Sequence, residues 1–281
     1  MVICMKKFFS VIFILIIVST TTVFAKPMED TSLNLKGVRY AYIFGYEPVI
    51  QQIYNEDGNY EVKIEIRMAM DDAVTVEQVC AMLMRMLDQS GDTMDKEYPM
   101  TPAVAPHKGQ WYERGLSYLV AVGGFDEEED ISLGPIKREQ VAKLVSCALN
   151  LNLSSKTSFK DIEDCENKEY IEKVYYYGYM KGVNGNTFNP NGVMTRAEFC
   201  TMFNRIIGRN SDELHAIDDN GRKYKVTAAD YYFVDMNPKH WAYKECLKAT
   251  SAYDENGYID MSARNANIRN ILDHYDGQKE Y

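Results

Sequence analysis

The feature that most constrains the fold of this chain is a helical segment that occurs three times. The stretches beginning at Asp72, Gly134 and Gly192 read DAVTVEQVCAMLMRMLDQ, GPIKREQVAKLVSCALNL and GVMTRAEFCTMFNRIIG. Their helical parts align without gaps, and apolar residues recur at helical spacing in each. Such repetition predicts similar units that pack side by side around a shared core.

The start of each repeated helix carries its own signal. Thr75 and Thr195 stand directly before the helical part of the first and third copies, with Gln78 and Glu198 three positions later. This pattern predicts a capping box, in which the hydroxyl and the Glu or Gln side chain each accept a backbone amide. The second copy has Lys137 instead of Thr. Taken alone, the pattern indicates only a helix cap and assigns no role to the Arg that follows the Thr.

A second kind of segment precedes the repeated helices. Leu116 lies seven residues before Gly123, and Ile171 lies seven residues before Gly178. A loop rich in Gly, Asn and Pro follows the second of these segments. We therefore expect units made of an opening helix that ends at Gly, a loop and a capped helix.

The two ends of the chain are incomplete when taken separately. The segment YAYIFGY from Tyr40 matches the end of an opening helix, but no helix fits before it. The segment FVDMNPKHWAYKECLKAT from Phe233 supplies an opening helix with no capped helix after it. We expect the C-terminal segment to donate the missing helix, so that three units close into a ring.

Two stretches predict β-structure between the helices. YEVKIEIRMAMDD, from Tyr60, alternates polar and apolar residues and indicates a strand inserted in the first unit. Asp219-Asn220-Gly221, flanked by similar alternation, predicts a β-hairpin after the third unit.

The N-terminus predicts export. Lys6 and Lys7 precede an apolar run from Phe8 to Val18, and small residues lead to Ala25, as in a secretory signal peptide. This run is too short to span a membrane, and no later segment approaches the required length. We expect cleavage after Ala25 and no membrane insertion of the mature chain.

Charge and cysteine content restrict the partners and cofactors. The chain has 31 basic and 41 acidic residues, and the leader contains two basic ones, so the mature chain has 29 against 41, a net charge of −12. Such a protein should not bind nucleic acid through bulk electrostatics. Five cysteines remain after the leader without a paired framework, so we expect no reliance on disulfides. The four histidines have no metal-ligand spacing, and we expect no metal or cofactor.

Several motifs together resemble the S-layer homology (SLH) domain family: Phe159-Lys160-Asp161-Ile162, the Gly178/Gly182 helix end, GNTFNPN and MTRAE. The segment from Phe233 to Trp241 is similar to the opening motif of that family. The resemblance covers roughly Tyr40 to Asp260. It implies a mainly α fold, with three SLH-type helix-loop-helix units in a pseudo-threefold, three-pronged bundle and short β-hairpin insertions.

The resemblance also implies a function. SLH units commonly tether surface proteins, without a covalent bond, to an anionic secondary polysaccharide of the bacterial cell wall, often one that carries pyruvate. We therefore expect a secreted, non-catalytic protein of the cell surface or S-layer. Its expected partner is the secondary cell-wall polysaccharide, and surface-layer proteins are further candidates.

The resemblance assigns roles to particular residues. Arg196 would face a ligand carboxylate, while Thr195 and Glu198 organise a helix start whose free amides and dipole favour an anion. Gly182 would allow close approach of a sugar. Asp161 and Asp235 would orient the opening helices or bind sugar hydroxyls. Trp111 and Trp241 would stack on a sugar face. Arg138 is the corresponding cation of the second copy.

Departures from the family pattern make the three units unequal. Val76 stands where the third copy has its Arg, and the second copy keeps Arg138 but has Lys137 and Gln140 in place of Thr and Glu. The opening motif of the second unit also has no clear Asp. Glu166 occupies the usual position of Trp in the third unit. We expect one good groove, one altered groove and one that is mainly structural.

The expected division of the chain follows from these motifs. It comprises a signal peptide (1–25), a divergent first unit (26–92), a second unit (93–153), a third unit (154–210), a β-hairpin linker (211–232), a closing helix (233–260) and a tail (261–281). Two other functions stay open, a protein-interaction module with degenerate grooves and a wall-active glycoside hydrolase. For Trp241, a core aromatic that anchors a helix is as good an interpretation as a sugar-stacking residue.

Overall fold

The structure is a computed structural model that describes residues 47–54, 60–90, 96–209, 214–218, 220–231, 233–251, 253 and 257–261. The expected signal peptide, the YAYIFGY segment and the tail beyond Met261 lie outside the described residues.

Most of the regular structure is helical, as predicted. The α-helices are α1 (Val76–Ser90), α2 (Glu113–Ala121), α3 (Arg138–Ala148), α4 (Lys168–Tyr176), α5 (Arg196–Ile206) and α6 (Tyr243–Ala249). Two short 3₁₀ helices lie at Ala105–His107 and Ala228–Tyr231. Among the described helices, none has the length and apolar character needed to cross a bilayer.

Two antiparallel hairpins interrupt the helices. β1 (Glu47–Tyr54) pairs with β2 (Tyr60–Arg67) over all eight residues, and β3 (His215–Ile217) pairs with β4 (Lys223–Lys225). The predicted strand in the first unit and the predicted hairpin after the third unit are confirmed. The strand β1 was not predicted, and it turns the single inserted strand into a hairpin.

The predicted capping boxes form at the starts of α1 and α5. Thr195 Oγ1 accepts the amide of Glu198 at 3.2 Å, and Glu198 Oε2 accepts the amide of Thr195 at 3.0 Å. Thr75 and Gln78 make the same pair of bonds at 3.3 and 3.2 Å. Before α3, the ammonium of Lys137 has no lone pair to accept an amide, so only the Gln half of the box is present.

The segments that lead into α1, α3 and α5 exchange backbone hydrogen bonds in a cycle. The amide of Val74 donates to Met194 O, that of Met194 donates to Ile136 O, and that of Ile136 donates to Val74 O, at 2.9 to 3.1 Å. All three side chains are buried. The starts of the three repeated helices therefore meet at one point, and each is held by the other two.

The helices pack in consecutive pairs. α1 packs against α2, α3 against α4, and α5 against α6. Each capped helix thus packs against the opening helix that follows it in the chain. The described buried apolar residues form one continuous cluster across the helices.

Gly115 permits the close packing of α2 on α1. A Cβ at this position would lie 2.2 Å from the carbonyl oxygen of Cys80. We expect Gly115→Ala to lower the free energy of unfolding by about 1–3 kcal/mol, because α2 must move away from α1. This cost should exceed the gain of about 1 kcal/mol from better helix propensity. Urea unfolding measures the change, with Gly185→Ala as the control, since that position has no atoms within 4 Å of an added Cβ. Equal stabilities of the two variants would contradict the prediction.

Candidate functional site

The loop before α5 is held between a carboxylate and a guanidinium. Asp161 accepts the amides of Phe188 and Asn189 through its two carboxylate oxygens, at 2.9 and 2.7 Å. Arg138 Nε donates to the carbonyl oxygen of Phe188 at 2.9 Å. One carboxylate and one guanidinium therefore bind the same short backbone segment.

The loop before α1 is held in the same way by different parts of the chain. Asp235 accepts the amides of Met68 and Ala69 at 2.9 and 2.7 Å. Arg196 Nε donates to the carbonyl oxygen of Met68 at 2.8 Å. The C-terminal segment therefore contacts the loop before α1 as the segment before α4 contacts the loop before α5.

These contacts hold an unfavourable backbone conformation. Ala69 and Asn189 occupy equivalent positions and have φ values of 51° and 60°. Left-handed geometry is disfavoured for a residue with a Cβ, and Ala lacks the polar side chain that helps Asn to adopt it. Charge-assisted bonds to Asp235 and Asp161 offset this cost and fix the course of each loop.

Arg138 joins three elements from a buried position. Its Nη1 lies 2.8 Å from Glu198 Oε1, at the start of α5, and its Cζ lies 5.1 Å from the ring centroid of Phe188. Burial lowers the pKa of Arg138, while the charges of Glu198 and Asp161 oppose that shift. Glu198 therefore completes a capping box and also binds the second-copy Arg, a pairing that the sequence analysis did not foresee.

The first-turn amides of α5 are already occupied. The amide of Arg196 donates to Asp72 O and that of Ala197 donates to Met70 O, both at 2.9 Å, while Thr195 accepts the amide of Glu198. The expectation that this helix start offers free amides to an anion is therefore wrong. The reason is tertiary, because the loop before α1 crosses the helix start and supplies the acceptors.

Three of the predicted ligand residues lie against protein groups. Arg138 and Arg196 are each 4% exposed. Gly182 has φ +81°, and a Cβ there would lie 2.6 Å from the Phe159 ring and 2.7 Å from Thr187 O. Gly182 therefore accommodates an aromatic ring of the protein itself. The structure gives these residues packing roles, and their contact with a ligand stays a prediction.

The two tryptophans are on the surface. Trp111 is 60% exposed and Trp241 is 64% exposed, and each directly precedes the N-cap residue of an opening helix. Glu166 holds the same position before α4. The interpretation of Trp241 as a core aromatic is therefore wrong, and its indole is available for contact.

Polar groups lie in the segment that carries Trp241 and in the loop that this segment contacts. His240 Nε2 lies 3.0 Å from Asp71 Oδ1, and the His240 ring is tilted against the indole at a centroid distance of 5.7 Å. Asp235 lies in the same segment and binds the loop that carries Asp71. We call these four residues, Asp71, Asp235, His240 and Trp241, the Trp241 surface. Sequence reasoning missed Asp71, because only the tertiary structure places it beside His240.

A cleft of about 320 Å³ lies at the corresponding place, between the start of α3, the segment before α4 and the loop before α5. It is lined by Glu139, Lys160, Asp161, Glu163, Asp164, Cys165, Glu166, Pro190 and Asn191. Lys168 holds the pKa of Glu163 below its usual value. Five carboxylates face one lysine among the lining residues, so the cleft is unfavourable for an anionic ligand.

The thiol in this cleft is not activated. Cys165 Sγ donates to Glu139 Oε2 at 2.8 Å, and burial together with this hydrogen bond raises its pKa to about 11. The five cysteines of the described residues are all free thiols. The described part of the chain also contains no group of three side chains arranged to bind a metal ion.

Comparison with known proteins identifies the class of the central segment. Residues 158–200 match the family model described as S-layer homology domain. The matched stretch contains Asp161, Gly182 and the capped start of α5 with Arg196. It thus includes the loop before α5 together with Asp161, which holds this loop, and one of the three helix starts that exchange backbone hydrogen bonds.

The similar proteins are two S-layer proteins and a cellulosome-anchoring protein. The chain is 33% identical over 112 residues to S-layer protein EA1 of Bacillus anthracis and to an S-layer protein of Bacillus licheniformis, which is 38% of this chain and 12% of each relative. It is 31% identical over 106 residues to a cellulosome-anchoring protein of Acetivibrio thermocellus, 36% of this chain and 21% of that protein. The similarity thus spans a small part of each relative. No solved structure matches the chain.

Proposed function

We propose that this protein is a non-catalytic, exported protein that attaches to the bacterial cell wall through SLH units. The observation that carries the proposal is the match of residues 158–200 to the S-layer homology domain. S-layer and cellulosome-anchoring proteins among the relatives support a location at the cell surface.

The proposal includes three units arranged around a pseudo-threefold axis. The cycle of backbone hydrogen bonds between Val74, Ile136 and Met194 supports this arrangement. The contacts of Asp235 with the loop before α1, which match those of Asp161 with the loop before α5, support closure by the C-terminal segment. In this arrangement α6 is the opening helix of the first unit.

The proposed ligand is an anionic secondary cell-wall polysaccharide, with pyruvate as the anionic group. We place it at the Trp241 surface, where an exposed indole can stack on a sugar and polar groups can bind hydroxyls. Arg196 Nε donates to the carbonyl oxygen of Met68 in the loop that Asp235 also binds, so a positive charge lies next to this loop. The carboxylate-lined cleft at the start of α3 supports this choice, since its five carboxylates would repel the same polymer more strongly than the two of the Trp241 surface.

A binding experiment with purified wall sacculi tests the proposal. The mature protein should bind sacculi that carry their secondary polysaccharide and not sacculi stripped of it. Trp241→Ala should weaken binding by about tenfold, or about 1.4 kcal/mol. Its melting temperature should stay close to that of the parent, because the side chain is largely exposed.

Trp111→Ala is the matched control, since Trp111 is equally exposed but its segment lacks the aspartate that holds a loop. Binding by Trp241→Ala that is as tight as binding by the parent would remove the ligand from the Trp241 surface. Binding that does not depend on the polysaccharide would contradict the proposed ligand.

A protein-interaction module is the alternative that one observation favours. The carboxylate-lined cleft suits a basic protein surface better than an anionic polymer. Absence of sacculus binding by a folded protein, with capture of basic surface-layer proteins instead, would support it. The glycoside hydrolase alternative predicts release of reducing sugars from sacculi, which the same samples can show.

A further inference from the structure

The strand β2 has a charge pattern that its partner in the hairpin does not complement. Every second residue of the strand is charged, and the signs alternate along it: Glu61, Lys63, Glu65 and Arg67. Residues two apart in a strand fall on the same face. In the hairpin register only Arg67 lies opposite a charge, that of Glu47, while the other three lie opposite Ile, Gln and Val.

The other edge of β2 has no described partner. The hairpin is a two-stranded sheet, and no other described strand joins it. An eight-residue strand edge presents a row of backbone donors and acceptors that can pair with another strand. A hairpin of two strands also gains stability when further strands are added.

A second copy of β2 complements the charges when it pairs antiparallel and is centred on Ile64. Lys63 then lies opposite Glu65 of the second copy, and Glu61 lies opposite its Arg67. Twofold symmetry repeats both contacts, so all four charged pairs have opposite signs. On the other face, Val62 lies opposite Ile66.

The same charges oppose other pairings. A shift of two residues places Lys63 opposite itself and Glu61 opposite Glu65, so every pair that it forms between these three residues has like signs. A parallel, in-register arrangement also places like charges beside each other. Among twofold-symmetric pairings, the antiparallel one centred on Ile64 therefore forms the largest number of pairs with opposite charge.

We propose that this chain forms a twofold-symmetric dimer through antiparallel pairing of two β2 strands. The product is a four-stranded sheet in the order β1-β2-β2-β1. An interface built on one strand per copy is small compared with the about 1,200 Å² or more of stable complexes. The dimer should therefore form in a concentration-dependent equilibrium. This pairing is independent of wall binding.

Sedimentation velocity of the mature protein over a range of concentrations tests the proposal without any wall component. The parent protein should shift from monomer to dimer as its concentration rises. Lys63→Glu and Glu65→Lys each place two like-charged pairs in the interface, and each should raise the dissociation constant by about tenfold or more.

An equimolar mixture of the two single variants should dimerise again, because each strand then meets opposite charges. The double exchange Lys63→Glu/Glu65→Lys should also restore the dimer. Lys108→Glu is the matched control, since it makes the same charge change at an exposed position outside the hairpin. It should leave the equilibrium unchanged.

Two results would overturn the proposal. One is a parent protein that stays monomeric at the highest concentration reached, which would mean that the alternating charges only keep the strand edge soluble. The other is a dimer that forms equally well in both single variants and does not respond to mixing. Neither result bears on whether the protein binds sacculi.

Discussion

Deletion of residues 233–281 is expected to abolish cooperative folding of the whole helical region, and not only to remove its last helix. α6 packs against α5 and buries Cys246, Leu247 and Ala249 completely. The deleted segment also contains Asp235, which binds the loop before α1 at Met68 and Ala69. The deletion therefore damages the two ends of the described fold at once.

The expected loss exceeds the stability of a typical domain. Removal of one large buried side chain costs about 2–5 kcal/mol, and this deletion uncovers the whole face of α5 that α6 covers. Net stabilities are only about 5–15 kcal/mol. Circular dichroism and urea unfolding should show a reduced helix content and no sharp transition.

Deletion of residues 262–281 alone is the control for this experiment. It keeps α6, Asp235 and all of their described contacts, so the unfolding transition should stay cooperative. A protein truncated before Phe233 that unfolds like the parent would contradict closure of the fold by the C-terminal segment.

Replacement of Arg138 is expected to have the next largest effect. Arg138→Ala removes the donor to Phe188 O and leaves Glu198 without its 2.8 Å partner. Breaking a fully buried ion pair costs about 3–5 kcal/mol. The Glu198 side chain is 24% exposed, so water compensates part of the loss and we expect about 2–4 kcal/mol.

Urea unfolding of Arg138→Ala, Glu198→Gln and the double variant measures this effect and separates its parts. The double-mutant cycle gives the energy of the Arg138–Glu198 contact, and the remainder belongs mainly to the hydrogen bond with Phe188 O. Lys156→Ala provides the control, because Lys156 is exposed. A change no larger than that control would show that the buried contacts of Arg138 do not stabilise the fold.

Much of the secondary structure could be predicted because it depends on neighbours in the chain. The capping boxes at Thr75 and Thr195 need only residues three positions apart, and the Asp-Asn-Gly turn needs only its flanking residues. The strand β1 was missed. Its sequence, EPVIQQIY, lacks the strict alternation seen in β2, so it becomes recognisable only through pairing.

The candidate site was predictable in its residues but not in their surroundings. The family resemblance singled out Arg138, Arg196, Asp161 and Asp235, and the structure brings each of them to a loop backbone. It did not reveal that both arginines are buried. That outcome depends on the loops at Phe188 and Met68, which lie far in sequence from the arginines that they contact.

The sequence by itself determined the local elements and the three equivalent helix starts, because hydrogen bonding and apolar periodicity within a few residues specify them. Only the tertiary structure decided which groups are accessible. In the sequence, Arg196 and Trp241 are both candidate ligand-binding residues. In the structure a loop covers Arg196, whereas Trp241 stays exposed. The physical reason is that burial depends on contacts between distant segments, here Met68 with Arg196 and Asp235, and such contacts leave no local pattern.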